Sequence, residues 1–220
     1  NTVRALKVLK RDAHGVGSDK IDEYRTRFAL EAQLTAQVHE DGANPYVIQV
    51  FHFQYDKESG LLIEELEYAP TDEGIPGNLA TLIRRAYKKD SHLPIDEALR
   101  YAREIAEGLA ALHKILIVHR DIKPSNILIG TDSKAKVADL GLAQTQQSRL
   151  YRSSALSGDH PGTNEYKPSE QLPGKYMPLK PNADVYALGC VLFELLTGDL
   201  YYNQRRGTRV KTLRPDVPSD

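Results

Sequence analysis

The feature that most constrains this chain is a polar cluster set between two short apolar stretches. Residues 119–126 read His-Arg-Asp-Ile-Lys-Pro-Ser-Asn, and they lie between Ile117-Val118 and Ile127-Leu128-Ile129. Short apolar runs rich in β-branched residues predict strands. Ionisable side chains gathered on a loop between strands are more typical of a functional site than of a solvated surface. The cluster therefore predicts a site held by a rigid frame.

A second acidic residue is expected to return to this cluster through a hairpin. The strand-like stretches 127–129 and 135–137 enclose the turn sequence Gly-Thr-Asp-Ser, and Asp139 follows them. Because a hairpin reverses the chain, Asp139 is expected close to Asn126. Carboxylate and amide oxygens are hard ligands of the kind that Mg²⁺ accepts, with room left for phosphate oxygens. Asn126 and Asp139 are therefore the candidate ligands for Mg²⁺ or Mn²⁺.

The rest of the chain divides into a strand-rich first part and a helix-rich remainder. Residues 70–78, which are rich in Pro and Gly, form the best candidate linker between them. Two lobes are expected, 1–67 and 68–220. The expected strands are 3–9, 46–55 and 60–68. The expected helices are 20–38, 79–88, 95–114 (with Ile95, Leu99, Ala102, Ile105, Leu109 and Leu112 on one stripe) and 183–197, which is apolar nearly all round and contains Cys190.

Composition excludes several classes of protein. Hydrophobic residues make up 40% and charged residues 27%, and the net charge is -1, so nothing favours a nucleic-acid partner or an anionic membrane. The single cysteine allows no intrachain disulfide, which fits a reducing compartment. No apolar stretch approaches the roughly 18 residues of a membrane span. We expect a cytoplasmic domain without membrane contact, in a parent protein that could be anchored elsewhere. Because residues 1–4 are neither a signal peptide nor an initiator methionine, we expect the chain to begin inside that larger protein.

Six segments, in order, resemble the eukaryotic-type protein kinase catalytic domain. Residues 119–126 are similar to the catalytic loop, and Asp139-Leu140-Gly141 is similar to the metal-binding motif usually written Asp-Phe-Gly. The resemblance runs from residue 3 to about 200, and six matches in the family's order make it specific. The other four segments are Ala5-Leu6-Lys7 (the strand with the ATP lysine), Glu31 (the lysine's partner on a helix), 162–170 (the end of the activation segment) and 184–189 (the buried helix that anchors the catalytic loop).

The resemblance implies an α+β, bilobal fold. The small β-rich N-lobe would be incomplete here, and the larger helical C-lobe would lack its last helices. Only six residues precede Lys7, so the family's glycine-rich loop is expected upstream. The arginine that usually pairs with Glu170 is expected beyond Asp220, and 203–220 is expected to be a polar connection. Residues 214–218 resemble bacterial members of the family.

The resemblance also implies transfer of phosphate from ATP to a protein hydroxyl. Phosphoryl transfer asks a protein mainly for positioning and charge neutralisation. Asp121 would accept the hydroxyl proton, and Lys123 would neutralise charge on the moving group. Lys7 would hold the α- and β-phosphates, and Glu31 would pin Lys7. The expected adenine contacts are Ala5 and Leu128 on either face of the base, the hinge backbone at Glu67 and Ala69, and Leu66 behind the base.

Two features favour serine or threonine over tyrosine as the acceptor. The family's serine/threonine kinases carry a lysine at the position of Lys123, and Thr163 after a glycine matches their substrate loop. Arg120 resembles the arginine that binds a phosphate on the activation segment and orders it. The alternative is that this segment is an unmodified flexible loop. The candidate phosphate acceptors are Ser148, Ser153, Ser154 and Ser157.

Several departures and alternatives stay open at this stage. Leu116 stands where the family has glycine, and Pro168-Ser169-Glu170 stands where Ala-Pro-Glu is usual. A pseudokinase scaffold and a kinase-like small-molecule phosphotransferase are the rival functions. The complete catalytic set argues against the first, and the activation segment argues against the second. His119 is expected to be a packed core histidine, and Asp184 is either the anchor of the loop or only a helix N-cap.

Overall fold

The chain folds into a small sheet-and-helix part followed by a larger helical part. The computed structural model describes residues 3–9, 18–40, 42–56, 58, 61–70, 77–88, 92–140, 144–145, 164–168, 180–205 and 207–218. Most of the expected linker, at 71–76, lies outside these residues. So do Gly141, Thr163, the four candidate serines and Glu170.

The first part is a three-stranded antiparallel sheet packed against one helix. The strands are β1 (Arg4–Leu9), β2 (Val50–Asp56) and β3 (Leu61–Glu67), in the order β1-β3-β2, and the helix is α1 (Ser18–Val38). The register places Lys7 of β1 directly opposite Glu64 of β3.

The strand expected at 46–55 begins four residues later than predicted. Its first residues pair with another part of the fold, because Ile48 N–H donates to the Val137 carbonyl (2.9 Å) and Val137 N–H donates to the Tyr46 carbonyl (2.8 Å). This segment therefore joins the sheet part to the helical part.

The second part is built on two long helices. They are α3 (Ile95–Lys114) and α4 (Asn182–Thr197), accompanied by α2 (Leu79–Lys88) and the short α5 (Val210–Leu213). Its strand pairs are β4 (Ile117–Val118) with β7 (Gln144–Thr145), and β5 (Ile127–Ile129) with β6 (Ala135–Val137). The core lies between these elements, where Ile105, Leu112, Ile117, Ile127 and Leu195 are completely buried. The α+β class and the order of elements agree with the prediction.

The buried faces of two helices, α3 and α4, differ in part from the predicted ones. Ala102, Ile105, Leu109 and Leu112 of the predicted stripe on α3 are buried, but Leu99 is 51% exposed and Ala98 is buried instead. Val185 and Tyr186, near the start of α4, are exposed, so this helix is not buried on every side. Cys190 is buried as expected, and burial raises the pKa of its thiol. None of the helices in the described part of the chain is long and apolar enough to cross a membrane.

Candidate active site

One buried carboxylate holds the polar loop 119–126 in place. Asp184, in the first turn of α4, is 1% exposed. It accepts hydrogen bonds from the backbone N–H of His119 (2.9 Å) and Arg120 (2.8 Å), and from His113 Nε2 (2.8 Å). Three donors offset the cost of burying this charge. Asp184 is therefore the anchor of the loop, and the N-cap alternative is wrong because Pro181 occupies that position.

His119 ties the loop to the strand that precedes Asp139. Its ring is completely buried, with Nδ1 accepting from the N–H of Asp121 (3.3 Å) and Nε2 lying 3.0 Å from the carbonyl of Ala138. Because Nδ1 accepts, this network assigns the ring proton to Nε2. The predicted role of His119 as a packed core histidine is confirmed.

Two residues of the site adopt a backbone conformation that side chains rarely take. Arg120 has φ of 72° and Asp139 has φ of 65°. Such conformations are costly and persist only where neighbouring contacts determine them, often at functional sites. The contacts of Asp184 and His119 are of that kind.

The carboxylate of Asp121 is oriented by its two neighbours in the loop. Lys123 Nζ lies 2.7 Å from Asp121 Oδ2, and Asn126 Nδ2 donates to the same oxygen at 3.0 Å. Asn126 Nδ2 also donates to the Asp121 carbonyl at 2.8 Å. Both side-chain contacts fall on Oδ2, so among the described residues Oδ1 is the carboxylate oxygen left for a further partner.

The hairpin returns Asp139 towards Asn126, since the N–H of Ala138 donates to the Asn126 carbonyl at 2.9 Å. Asp139 presents a half-exposed carboxylate and Asn126 an amide oxygen. Among the described residues, no group of three or more His, Cys, Asp or Glu could hold a metal ion alone. A Mg²⁺ ion commonly takes only one or two protein ligands beside water and phosphate oxygens, so the donor set present fits it.

Lys7, on β1, lies close to Asp139. Its Nζ lies 2.6 Å and 2.7 Å from the two carboxylate oxygens of Glu31, on α1, and 3.6 Å from Asp139 Oδ1. Burial alone would lower the pKa of Lys7, but the charges of Glu31 and Asp139 outweigh it and the pKa is raised. Lys7 is therefore a cation at neutral pH, and its side chain remains 38% exposed.

Sequence reasoning missed a second carboxylate beside Lys7. Glu64 is completely buried, and its Oε2 lies 4.0 Å from Lys7 Nζ. Burial, followed by the charge of Glu31, raises the pKa of Glu64 to about 8. A signal was present in the sequence, because Glu64 alternates with Leu62 and Leu66 and so shares their face of the strand.

The predicted adenine residues lie on or next to β1, β3 and β5. Ala5 of β1 lies opposite Leu66 of β3. Ala69 is buried, and Leu128 is half-buried. Because the N–H of Glu67 donates to the Gln49 carbonyl (2.8 Å), only the carbonyl of Glu67 could meet a base.

An ion pair also links the end of β3 to the helical part of the chain. Lys136, which is buried on β6, lies 2.9 Å from the Glu67 carboxylate. Sequence analysis assigned no role to this lysine.

Of the predicted activation segment, the structure describes residues 164–168. Asn164–Tyr166 form one 3₁₀ turn, and the hydroxyl of Tyr166 donates to the carboxylate of Glu194 on α4. Burial and this hydrogen bond raise the pKa of Tyr166. The turn is therefore attached to the helix that also anchors the catalytic loop.

Arg214 is a second residue whose role sequence reasoning missed. It lies in the expected polar connection, yet its side chain is buried. Its Nη1 donates to the Leu196 carbonyl (3.0 Å) at the end of α4, and its Nε lies 3.3 Å from Asp216. This guanidinium attaches the C-terminal residues to α4.

The fold and the anchored loop are those expected from the resemblance to the protein kinase catalytic domain. The model of the protein kinase domain family matches residues 1–216. The chain belongs to the protein kinase domain family.

The relatives of this chain carry the names of protein kinases, and several are named serine/threonine-protein kinases. The serine/threonine-protein kinase PknL of Mycobacterium bovis is 32% identical over 88% of this chain and 42% of its own length. A probable serine/threonine-protein kinase of Clostridium acetobutylicum is 28% identical over 90% of this chain and 26% of its own. The 3-phosphoinositide-dependent protein kinase B of Dictyostelium discoideum is 33% identical over 71% of this chain and 16% of its own. The chain thus spans less than half the length of each of these relatives.

Proposed function

We propose that the full-length protein transfers the γ-phosphoryl group of Mg·ATP to a serine or threonine hydroxyl of a protein substrate. The observation that carries this proposal is the convergence of three segments that lie far apart in the chain. The ion pair of Lys7 and Glu31 lies beside Asp139, with Lys7 Nζ 3.6 Å from its carboxylate. The residue before Asp139 is hydrogen-bonded to Asn126 in the catalytic loop.

On the acceptor side, Asp121 would orient the substrate hydroxyl and take its proton. Lys123 and Asn126 hold its carboxylate through Oδ2, which leaves Oδ1 for the hydroxyl. A positioned base of this kind contributes roughly 10²–10⁴-fold to a rate. The ammonium of Lys123 would also offset negative charge at the point of transfer.

On the nucleotide side, Lys7 would bind phosphate oxygens while Glu31 holds its ammonium in place. Asn126 and Asp139 would hold Mg²⁺ or Mn²⁺, which when bound neutralises phosphate charge. Ala5 and Leu128 would pack on the adenine ring. The carbonyl of Glu67 and the N–H of Ala69 would bond its edge.

The choice of acceptor and its control rest on the activation segment. Lys123, Thr163 and the names of the relatives support a serine or threonine acceptor. Arg120 would bind a phosphorylated residue of the activation segment. We place the N-lobe at 1–67 and the C-lobe at 68–220, in a cytoplasmic domain.

The test is phosphate transfer by the full-length protein. With Mg²⁺ and radiolabelled ATP, Asp139→Asn abolishes protein labelling because the metal ligand is lost. Asp121→Ala lowers turnover by roughly 10²–10⁴-fold and leaves nucleotide binding nearly intact. Asp132→Asn, in the turn of the same hairpin, is the matched control and labels like the wild type.

Undiminished labelling by Asp139→Asn would reject the metal assignment. Labelling of an antibiotic or a sugar, and not of protein, would favour the small-molecule alternative.

A further inference from the structure

Lys7 faces two carboxylates that belong to different elements of the fold. Glu31 comes from α1 and contacts Lys7 Nζ at 2.6 Å, and Glu64 comes from β3 with its Oε2 at 4.0 Å. Lys7 and Glu64 are directly opposite each other in the antiparallel pairing of β1 and β3. The sheet therefore fixes Glu64 relative to Lys7, whereas Glu31 depends on the position of a separate helix.

Glu64 is left without a hydrogen-bond partner in the observed arrangement. The residue is 0% exposed, and within the described part of the chain neither of its oxygens accepts a hydrogen bond. A buried acceptor without a donor is costly, and such a group in a native fold calls for an explanation. The charged groups that act on it are Lys7 on β1, Glu31 on α1 and Asp139 after β6.

A small movement of Lys7 would satisfy Glu64. Bringing Nζ from 4.0 Å to a hydrogen-bonding distance of about 3 Å requires only a change in its flexible side chain. That movement would take the ammonium away from Glu31 and towards the sheet. An apolar residue at position 64 would fill the space without the cost of a buried carboxylate.

We propose that Glu64 is a positioning residue that competes with Glu31 for Lys7. When Lys7 pairs with Glu31, its ammonium is held where it can bind phosphate. When it pairs with Glu64, the ammonium is withdrawn towards the sheet, and α1 loses its link to β1. The inference rests on the proposed role of Lys7 in phosphate binding and adds a second state to that role.

The experiment compares steady-state kinetics of the full-length protein and its variants above pH 8, where the Glu64 carboxyl is ionised, with ATP and the protein substrate varied separately. Glu64→Gln removes the competitor and raises kcat/KM for ATP by roughly 2- to 10-fold. The KM for the protein substrate stays unchanged, because the acceptor side is not touched. Glu31→Gln lowers kcat/KM, since Lys7 then pairs with Glu64. The double variant is more active than Glu31→Gln alone, again by roughly 2- to 10-fold.

The matched control is Glu65→Gln, on the same strand but with a half-exposed carboxylate that pairs with Arg4. It should behave as the wild type. Glu64→Met is the second variant and should show the same gain as Glu64→Gln. An unchanged or lowered kcat/KM in Glu64→Gln, or a double variant no better than Glu31→Gln, overturns the competition. Failure of both Glu64 variants to fold also overturns it, because Glu64 would then be required by the structure itself.

Lys7→Ala separates this inference from the proposed function. If Lys7→Ala keeps full activity, the role of Lys7 fails and the competition fails with it. If Lys7→Ala is inactive while both Glu64 variants match the wild type, only the competition is wrong.

Discussion

The two sides of the site are held in different ways. On the catalytic-loop side, the two anchoring side chains are fully hydrogen-bonded: Asp184 accepts from three donors, and both ring nitrogens of His119 are engaged. On the lysine side, Lys7 is partly exposed, and Glu64 is buried without a hydrogen bond among the described residues. We call the first side saturated, because Asp184 and His119 have all their hydrogen bonds, whereas the second side has an acceptor to spare.

This difference separates a fixed half of the site from an adjustable half. Buried polar networks that are fully satisfied specify one arrangement, because every alternative leaves a group unpaired. A spare acceptor next to a flexible cation has the opposite effect, since a second pairing is then available to the cation. We infer that the position of Asp121 is built into the fold, whereas the position of Lys7 depends on whether α1 is engaged.

The largest expected effect comes from breaking the saturated side. Asp184→Ala leaves two backbone N–H groups and His113 without their acceptor. Removing one partner of a buried charged network typically costs about 3–5 kcal/mol. We expect a loss of this size in the free energy of unfolding, measured by urea titration of the full-length protein, together with a drop in kcat.

The control for this change is Asp199→Ala, just beyond the C-terminal end of α4, where the side chain is exposed. A surface substitution of this kind should stay within about 0.5 kcal/mol of the wild type. If Asp184→Ala were equally mild, the saturated side would not depend on its anchor.

A smaller effect of opposite sign is expected on the lysine side. Glu64→Leu removes a buried acceptor that has no donor, and we expect a gain of about 1–3 kcal/mol in the free energy of unfolding near pH 8. Urea titrations at several pH values would measure it. Glu65→Gln is again the control, because exposed ion pairs contribute little.

The pH dependence of that gain has a definite sign. The fold raises the pKa of Glu64 from 4.5 to about 8, so the folded state favours the protonated form. The stability contributed by Glu64 is therefore fully present below its unfolded pKa and is lost as the pH rises through about 8. The advantage of Glu64→Leu should grow between pH 5 and pH 8 and then level off. An advantage that shrinks over this range would contradict the burial of a protonated Glu64.

The smallest expected effect concerns Leu116, on the entry to the anchored loop. Leu116 is exposed and has φ of 63°, a left-handed conformation that favours glycine. Relief of the strain, about 1–2 kcal/mol, is partly offset by the greater chain entropy of unfolded glycine, about 0.4–1 kcal/mol. We expect Leu116→Gly to raise the free energy of unfolding by about 0.5–1 kcal/mol. Leu116→Ala keeps the strain and should give no gain, and a destabilised glycine variant would show that the side chain is needed.

The sequence predicted the saturated side better than the adjustable one, for a physical reason. The catalytic loop, the hairpin and Asp184 lie in local patterns of polar residues between apolar runs, which one segment can reveal. Glu64 and Arg214 acquire their roles only from tertiary contacts, with Lys7 and with the end of α4. Arg214 looks like an ordinary surface charge when its own segment is considered alone, and the alternation of Glu64 with Leu62 and Leu66 indicates its face but not its partner.

The errors in the predicted start of β2 and in the buried stripe of α3 also arise from tertiary contacts. The apolar run from 46 predicted a longer β2, but its first residues pair with β6 because that hairpin lies beside them in space. Leu99 fits the stripe of Ala102 and Ile105 by spacing, yet Leu99 is exposed and Ala98 is buried. Periodicity defines a helix well, but it does not define the exact edge of the buried stripe.

The most direct test is a crystal structure of the full-length protein with Mg²⁺ and a non-hydrolysable ATP analogue. We predict that Lys7 Nζ contacts a phosphate oxygen while still paired with Glu31, and that Asn126 and Asp139 bind the metal. Asp121 should keep the position it has here, tied to Lys123 and Asn126. A nucleotide bound with Lys7 or Asp139 directed away from the phosphates would contradict the account.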